Sequence, residues 1–289
     1  MSARASGWML IAVSAASFGA LGVLVKLAYA QGVDKYAALA LRFAMAAAIL
    51  APLAALRRSG GISARILVGL LFFGGGGYVA HSLCYFTALE YASPGLVGLL
   101  LYLYPALVAL SGRVLFGERL GGARLAAIAV ALAGTALTVG PLGGGRLPGI
   151  LLALACAVIY GAYIVACSRL TRGVDPLITS SVIIAGAAVS YVVIAVARGS
   201  PLPPTAKCWL IVAAMAVVST VIAIATFFAA MRRIGATSAA VGSTLEPLVT
   251  VALSFLVLEE RLSTTQLVGG AMIVAAVAWL ATRPPASSP

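Results

Sequence analysis

Charge is what this sequence has least of. Only 9% of its 289 residues are Asp, Glu, Lys or Arg, and seven of these are acidic. Soluble domains carry about 25% charged residues, because a solvated exterior needs them. Here 63% of the chain is apolar and the mean hydropathy is +1.12. One core could not hide that much apolar surface, so a soluble globular fold is excluded. Histidine is nearly absent too: His81 is the single one, and one histidine cannot build a metal site. The four cysteines, Cys84, Cys156, Cys167 and Cys208, form no CxxC pair and read as packing residues rather than a disulfide framework. There is no GxSxG, no pair of loop aspartates and no P-loop, which disfavours an intramembrane enzyme and ATP-driven transport. No filter-like loop or ring of charges supports a channel. No cofactor and no metal are expected.

What the chain has in quantity is long apolar runs. A hydrocarbon core about 30 Å thick needs roughly 20 apolar residues per helix. That template predicts an all-α polytopic membrane protein with ten transmembrane helices. They span 7–29, 36–56, 65–89, 94–116, 122–139, 148–170, 176–197, 205–231, 238–258 and 264–281. The connectors are short and rich in Gly, Pro and Ser, so no soluble domain separates them. A signal-peptide reading of the first helix is the rival, with Ala28-Tyr29-Ala30 as the cleavage site. The run is long for that role, and Lys26 sits just before the site. Net charge is +12, which in a soluble protein would suggest nucleic acid. Here it is explained by orientation instead, and no nucleic-acid partner is expected. With the N-terminus inside, inner segments hold 12 Lys and Arg and outer segments 5, so both termini are placed in the cytoplasm of a cell (inner) membrane protein.

The chain also repeats itself. Laid against itself so that Phe86 falls on Phe228, it puts Pro105 on Pro247 and Glu118-Arg119-Leu120 on Glu260-Arg261-Leu262. In the same register Phe18-Gly19-Ala20 meets Tyr160-Gly161-Ala162, and Gly32-Val33-Asp34 meets Gly173-Val174-Asp175 after a single-position slip. The predicted units are 1–143 and 144–289. Each has five helices, an odd number, so the second enters the membrane inverted relative to the first. Inverted repeats are an architecture of secondary transporters.

The segment from Tyr104-Pro105 to Gly117-Glu118-Arg119-Leu120, with its counterpart from Leu245-Glu246-Pro247 to Glu259-Glu260-Arg261-Leu262, resembles the paired signatures of EamA-type carriers of the drug/metabolite transporter superfamily. Glu259 departs from that pattern, where Gly is commoner. The resemblance implies a 5+5 inverted transporter, commonly an exporter of small metabolites. The aromatic, histidine-bearing third helix further resembles amino-acid exporters of the YddG type.

A charge at a helix centre costs about 2.5–3.5 kcal/mol on insertion scales, so polar residues within spans are candidates for function. Lys26 can snorkel to an interface. Arg42 is expected to pair with Glu90 or Asp34, or to hold a substrate carboxylate. Tyr78, His81, Ser82 and Tyr85 share one face of helix 3, preceded by Gly74-Gly75-Gly76-Gly77. They read either as substrate lining or as a hydrogen-bonded seam between helices. Tyr102 and Tyr104 lie on nearly opposite helical faces, so at most one, taken as Tyr102, should meet a cavity. Phe18, Tyr160 and Tyr163 are aromatic candidates on the symmetry-related helices 1 and 6. In helix 9, Ser243, Glu246, Pro247 and Thr250 lie on one side. Pro247 should free a carbonyl near Ser243 as an acceptor for an ammonium group, and Glu246 reads either as part of the bend or as a proton-coupling carboxyl. Pro105 and Pro247 are the expected hinges.

The expected function is alternating-access export of small amphipathic metabolites, most of all hydrophobic or aromatic amino acids. Proton-coupled efflux of drugs or organic cations is the runner-up. The partners are a small-molecule substrate and the lipid bilayer, and a monomer suffices to enclose the site.

Overall fold

The computed structural model describes residues 3–56, 62–104, 106–107, 122–139, 145–171, 174–243 and 245–282. Within these the chain is helical, and the one β-bridge, Ala92 with Gly145, belongs to no strand. The helices are α1 (Ala3–Gly19), α2 (Leu21–Ala30), α3 (Lys35–Ala55), α4 (Ala64–Phe72), α5 (Val79–Tyr91), α6 (Pro94–Leu101), α7 (Gly122–Val139), α8 (Leu147–Leu170), α9 (Pro176–Ala197), α10 (Ala206–Ala216), α11 (Ala223–Gly242), α12 (Leu245–Leu258) and α13 (Thr264–Thr282). Several join end to end, so that six stretches are long and apolar enough to cross a membrane: Ala5–Ala30, Lys35–Ala55, Ala64–Tyr91, Leu147–Cys167, Pro176–Ala197 and Ala206–Ile234. Their outward faces carry large apolar side chains such as Phe72, 74% exposed, and Val196, 75% exposed, as a lipid-facing surface requires.

The sequence repeat has a local counterpart at the helix starts. Asp34 caps α3 by accepting from the Tyr36 and Ala37 amides at 3.0 and 2.9 Å, and Asp175 caps α9 by accepting from the Leu177 amide at 2.7 Å. Ser63 and Thr205 are mates in the repeat register and cap α4 and α10 in the same way. Such caps satisfy amides that have no partner within the helix. Each of these third helices then widens into a π-helical turn, Phe73–Tyr78 between α4 and α5 and Val217–Ile222 between α10 and α11. In the first, Gly74 and Gly75 lie against the backbone of α9 near Ile183 and Gly186. The glycine run therefore admits a neighbouring helix.

Helix pairing follows the repeat. The principal neighbour of α1 is α11, just as its mate α8 packs on α5, while α3 packs on its own mate α9 and α7 on its mate α13. The chain reverses inside α11. Ser14 bonds the Ala223 carbonyl and Gly7 meets Ile234, whereas farther along α1 Ile11 meets Gly242 and Gly19 meets Glu246. The expected helix end at 231 and start at 238 bracket that reversal. Helices also open at matched points: α6 ends in a turn at Tyr102 and Leu103, and α11 gives way to α12 at Ser243. Pro105, the Glu118-Arg119-Leu120 triplet and the expected boundary at 143/144 lie outside the described residues.

Candidate functional site

The helices leave two neighbouring chambers between the repeats, of about 230 and about 100 Å³. Both are bordered by Phe18, Tyr78, Tyr104, Tyr160 and Glu246, which form the wall they share. Beyond that wall the two differ in chemistry. The smaller is lined by Arg42, His81, Ser82, Tyr85 and Tyr102 together with the apolar Leu21, Phe86 and Leu101, the larger by Tyr163, Ile183, Ile184, Ile224, Phe227 and Phe228, with Ser180 and Ser243.

Aromatic rings build the shared wall. His81 stacks on Tyr160 with centroids 4.4 Å apart and planes 23° apart. Tyr160 meets Tyr104 edge-on at 4.7 Å and lies nearly parallel to Tyr163 at 6.1 Å. Tyr78 sits 5.9 Å from Tyr163 and 5.7 Å from the Phe43 ring. The helical stripe Tyr78, His81, Ser82 and Tyr85 thus reaches the cavity as its spacing predicts. It also makes the alternative seam in part. His81 Nδ1 is 3.1 Å from Cys156 Sγ, Ser82 Oγ is 2.8 Å from the Tyr191 hydroxyl and 2.7 Å from the Tyr78 carbonyl, and the Tyr191 hydroxyl lies 2.8 Å from the Val79 carbonyl.

Arg42 differs from expectation. Asp34 is engaged as the α3 cap, and Glu90 pairs with Lys35 at 2.9 Å, so neither acid is left for it. Its Nε donates to Thr220 Oγ1 at 3.0 Å, and its guanidinium lies over the rings of Phe43 at 4.8 Å and Phe86 at 5.8 Å. The side chain is 3% exposed, and no carboxylate among the described residues lies within 4.0 Å of it. Glu246 is therefore not ion-paired with Arg42. Its carboxylate borders both chambers, with no hydrogen-bond partner among the described residues.

Two further expectations are corrected. Tyr102 and Tyr104 both reach the cavity, with rings 5.9 Å apart, because the helix opens at Tyr102 and the α-helical face rule no longer applies. The Ser243 carbonyl is not free for an ammonium group: it accepts the Tyr102 hydroxyl and, at 3.0 Å, the Glu246 amide. Pro247 follows the break in the third position of α12, where a missing amide costs no helical bond. Thr250 does not line the cavity; it is buried and donates to the Gly19 carbonyl at 3.1 Å, fastening α12 to α1.

Sequence reasoning missed Tyr104 and the apolar wall of the larger chamber. The repeat held the signal. In the register that sets Phe18 on Tyr160, cavity residues pair with cavity residues: Ser82 with Ile224, Tyr85 with Phe227, Phe86 with Phe228 and Tyr104 with Glu246, and, with the single-position slip that matches Asp34 to Asp175, Arg42 with Ile183. Transferring each candidate onto its mate finds the second wall.

The profile of the EamA-like transporter family matches twice, over residues 5–140 and 147–282, and the match reaches the family rather than a subtype within it. A comparison with curated proteins returned no match. One solved crystal structure superposes with a TM-score of 0.65 at 26% identity, covering 96% of this chain and 97% of its own. With two family repeats accounting for nearly its whole length, and six stretches among the described residues long and apolar enough to cross a membrane, the chain belongs to the EamA-like transporter family.

Proposed function

We propose that this membrane transporter of small substrates exports hydrophobic and aromatic amino acids by alternating access. The observation that carries the reading is the division of a mostly apolar cavity into two chambers across an aromatic wall, with the Arg42 cation in the smaller and Glu246 at the wall they share. An amphipathic solute matches that division, with its charged head on one side and its apolar part on the other. The pairing of α1 with α11 and of α8 with α5 supports a ten-helix, 5+5 inverted arrangement divided near residue 143, in which the halves exchange conformations around a shared site. The excess of Lys and Arg supports cytoplasmic termini and an inner-membrane location. The cavity is enclosed by a single chain, in keeping with a functional monomer. Membership of the aromatic amino-acid branch of the family is part of this proposal, and so are the hinge roles of Pro105 and Pro247.

The second reading, proton-coupled efflux of organic cations, is favoured by one feature, the Glu246 carboxylate between the chambers, which has no hydrogen-bond partner among the described residues. Uptake of labelled phenylalanine into proteoliposomes, with and without an imposed pH gradient, separates the two. Saturable phenylalanine uptake supports amino-acid transport. Gradient dependence that disappears in Glu246→Gln adds proton coupling. Failure of the folded protein to move phenylalanine, tryptophan, methionine or leucine, with transport of an organic cation, overturns the first reading in favour of the second.

A further inference from the structure

We infer that Arg42 is the anion-recognising group of this site. Its terminal guanidinium nitrogens take the substrate carboxylate in the small chamber, Glu246 takes the ammonium group at the shared wall, and the side chain is left to the large chamber. This deepens the amino-acid reading above and rests on it.

A guanidinium has five N–H donors arranged as a fork. Here one of them, on Nε, is satisfied by Thr220. Among the described residues no further hydrogen bond is formed by the guanidinium and no carboxylate lies within 4.0 Å of it, and the side chain borders the small chamber. A buried cation without a counter-charge is costly, and the two aromatic faces compensate for it only partly. A carboxylate entering the chamber supplies the missing charge and two acceptors in the bidentate geometry that suits arginine.

The group is held in position for this. Thr220 lies in the second π-helical turn and donates its own hydroxyl to the Met215 carbonyl at 3.0 Å, which leaves its oxygen to accept from Nε. Phe43, beneath the guanidinium, stacks on Tyr191 at 5.5 Å with planes 7° apart. Tyr191 is pinned in turn by the Val79 carbonyl and the Ser82 hydroxyl. The repeat supplies no second anion site, because the mate of Arg42 is Ile183, in the larger chamber. The substrate is therefore oriented, with its carboxylate fixed in the first repeat. A solute lacking either charged group satisfies one end alone, so the site selects zwitterions over both amines and acids.

The test uses the full-length protein and two fragments of phenylalanine: 3-phenylpropanoate, which lacks the ammonium, and phenethylamine, which lacks the carboxylate. Each competes with labelled phenylalanine in proteoliposomes. In Arg42→Met, inhibition by 3-phenylpropanoate weakens by roughly 30-fold or more, as for truncation of a buried charge pair, while inhibition by phenethylamine is unchanged. Glu246→Gln gives the reverse pattern. Inhibition by 3-phenylpropanoate that is equal in the native protein and in Arg42→Met overturns the inference even if phenylalanine transport stands. Should Arg42→Met not fold, Arg42→Lys and Thr220→Val replace it: the first keeps the charge without the fork, the second removes the group that aims it. Both weaken 3-phenylpropanoate selectively or the inference fails. Should the protein transport no amino acid, direct binding of labelled 3-phenylpropanoate decides separately. Binding lost in Arg42→Met supports the anion site, and no binding to the native protein overturns it.

Discussion

The close approach of α9 to the first π-helical turn makes a sharp prediction about two glycines. A methyl group added at Gly186 would sit 2.7 Å from the Leu71 carbonyl oxygen, 3.2 Å from the Gly75 nitrogen and 3.3 Å from Leu71 Cα. All three neighbours are backbone, so no side chain can turn away. Ordinary contact begins at 3.4 Å, so the helices must part by about 0.7 Å. Overpacking of this kind costs about 1–3 kcal/mol. Gly76, on the same π-helical turn, has nothing within 4 Å of the same added atom. Both substitutions gain about the same helix propensity, roughly 1 kcal/mol, so the difference between them isolates the packing. At roughly 2–4 °C per kcal/mol, Gly186→Ala should unfold about 2–12 °C below Gly76→Ala when the purified proteins are melted in the same detergent. Slower transport should accompany the lower midpoint, because the displaced turn carries Tyr78 on the shared wall. Equal midpoints for the two variants would refute the claim that glycine is needed for close approach here.

The stack of His81 on Tyr160 predicts a selective loss. His81→Ala should weaken phenylalanine transport by about 2- to 10-fold in apparent KM, the worth of one aromatic pair, and leave leucine less affected. An equal loss for both substrates would assign His81 to packing alone. At the α2–α3 end of the bundle, Lys35→Glu should lower stability by about 0.2–1 kcal/mol through loss of the 2.9 Å pair with Glu90, and adding Glu90→Lys should restore most of it. A thermal melt of the single and double variants reads this directly, and additive losses would show that the pair does not couple.

Much of the fold was legible because a membrane helix has to advertise itself. Apolar runs of the required length, separated by turn residues, gave the positions of the six long spans, and the Gly-Val-Asp match that aligns the two halves falls on residues that cap helices in the structure, Asp34 and Asp175. The stripe on helix 3 was legible for a different reason: helical spacing puts Tyr78, His81, Ser82 and Tyr85 on one face whatever that face meets. Where regular geometry ends, the reading failed. Tyr102 and Tyr104 share the cavity only because the helix opens between them, and periodicity assumes that helices continue. The partner of Arg42 was misjudged because charge alone nominated Asp34 and Glu90. Their actual engagements, as the N-cap of α3 and as the partner of Lys35 from a distant part of the chain, had already taken those acids. The apolar chamber wall was invisible one residue at a time, since isoleucine and phenylalanine in a membrane helix carry no signal of their own.

The unlike mates around the cavity bear on the energetics of the whole cycle. In a carrier made of two identical inverted halves, exchanging their conformations would give the same molecule viewed from the opposite side of the membrane. The two faces would then be degenerate, and an empty carrier would divide its time equally between them. Under the proposed alternating-access cycle, Arg42 opposite Ile183, Ser82 opposite Ile224 and Tyr104 opposite Glu246 would lift that degeneracy. Each conformation would then bury a different set of polar groups, and the resting preference of the empty protein would become a property that single substitutions at these mates can tune, without any change to the solute it carries.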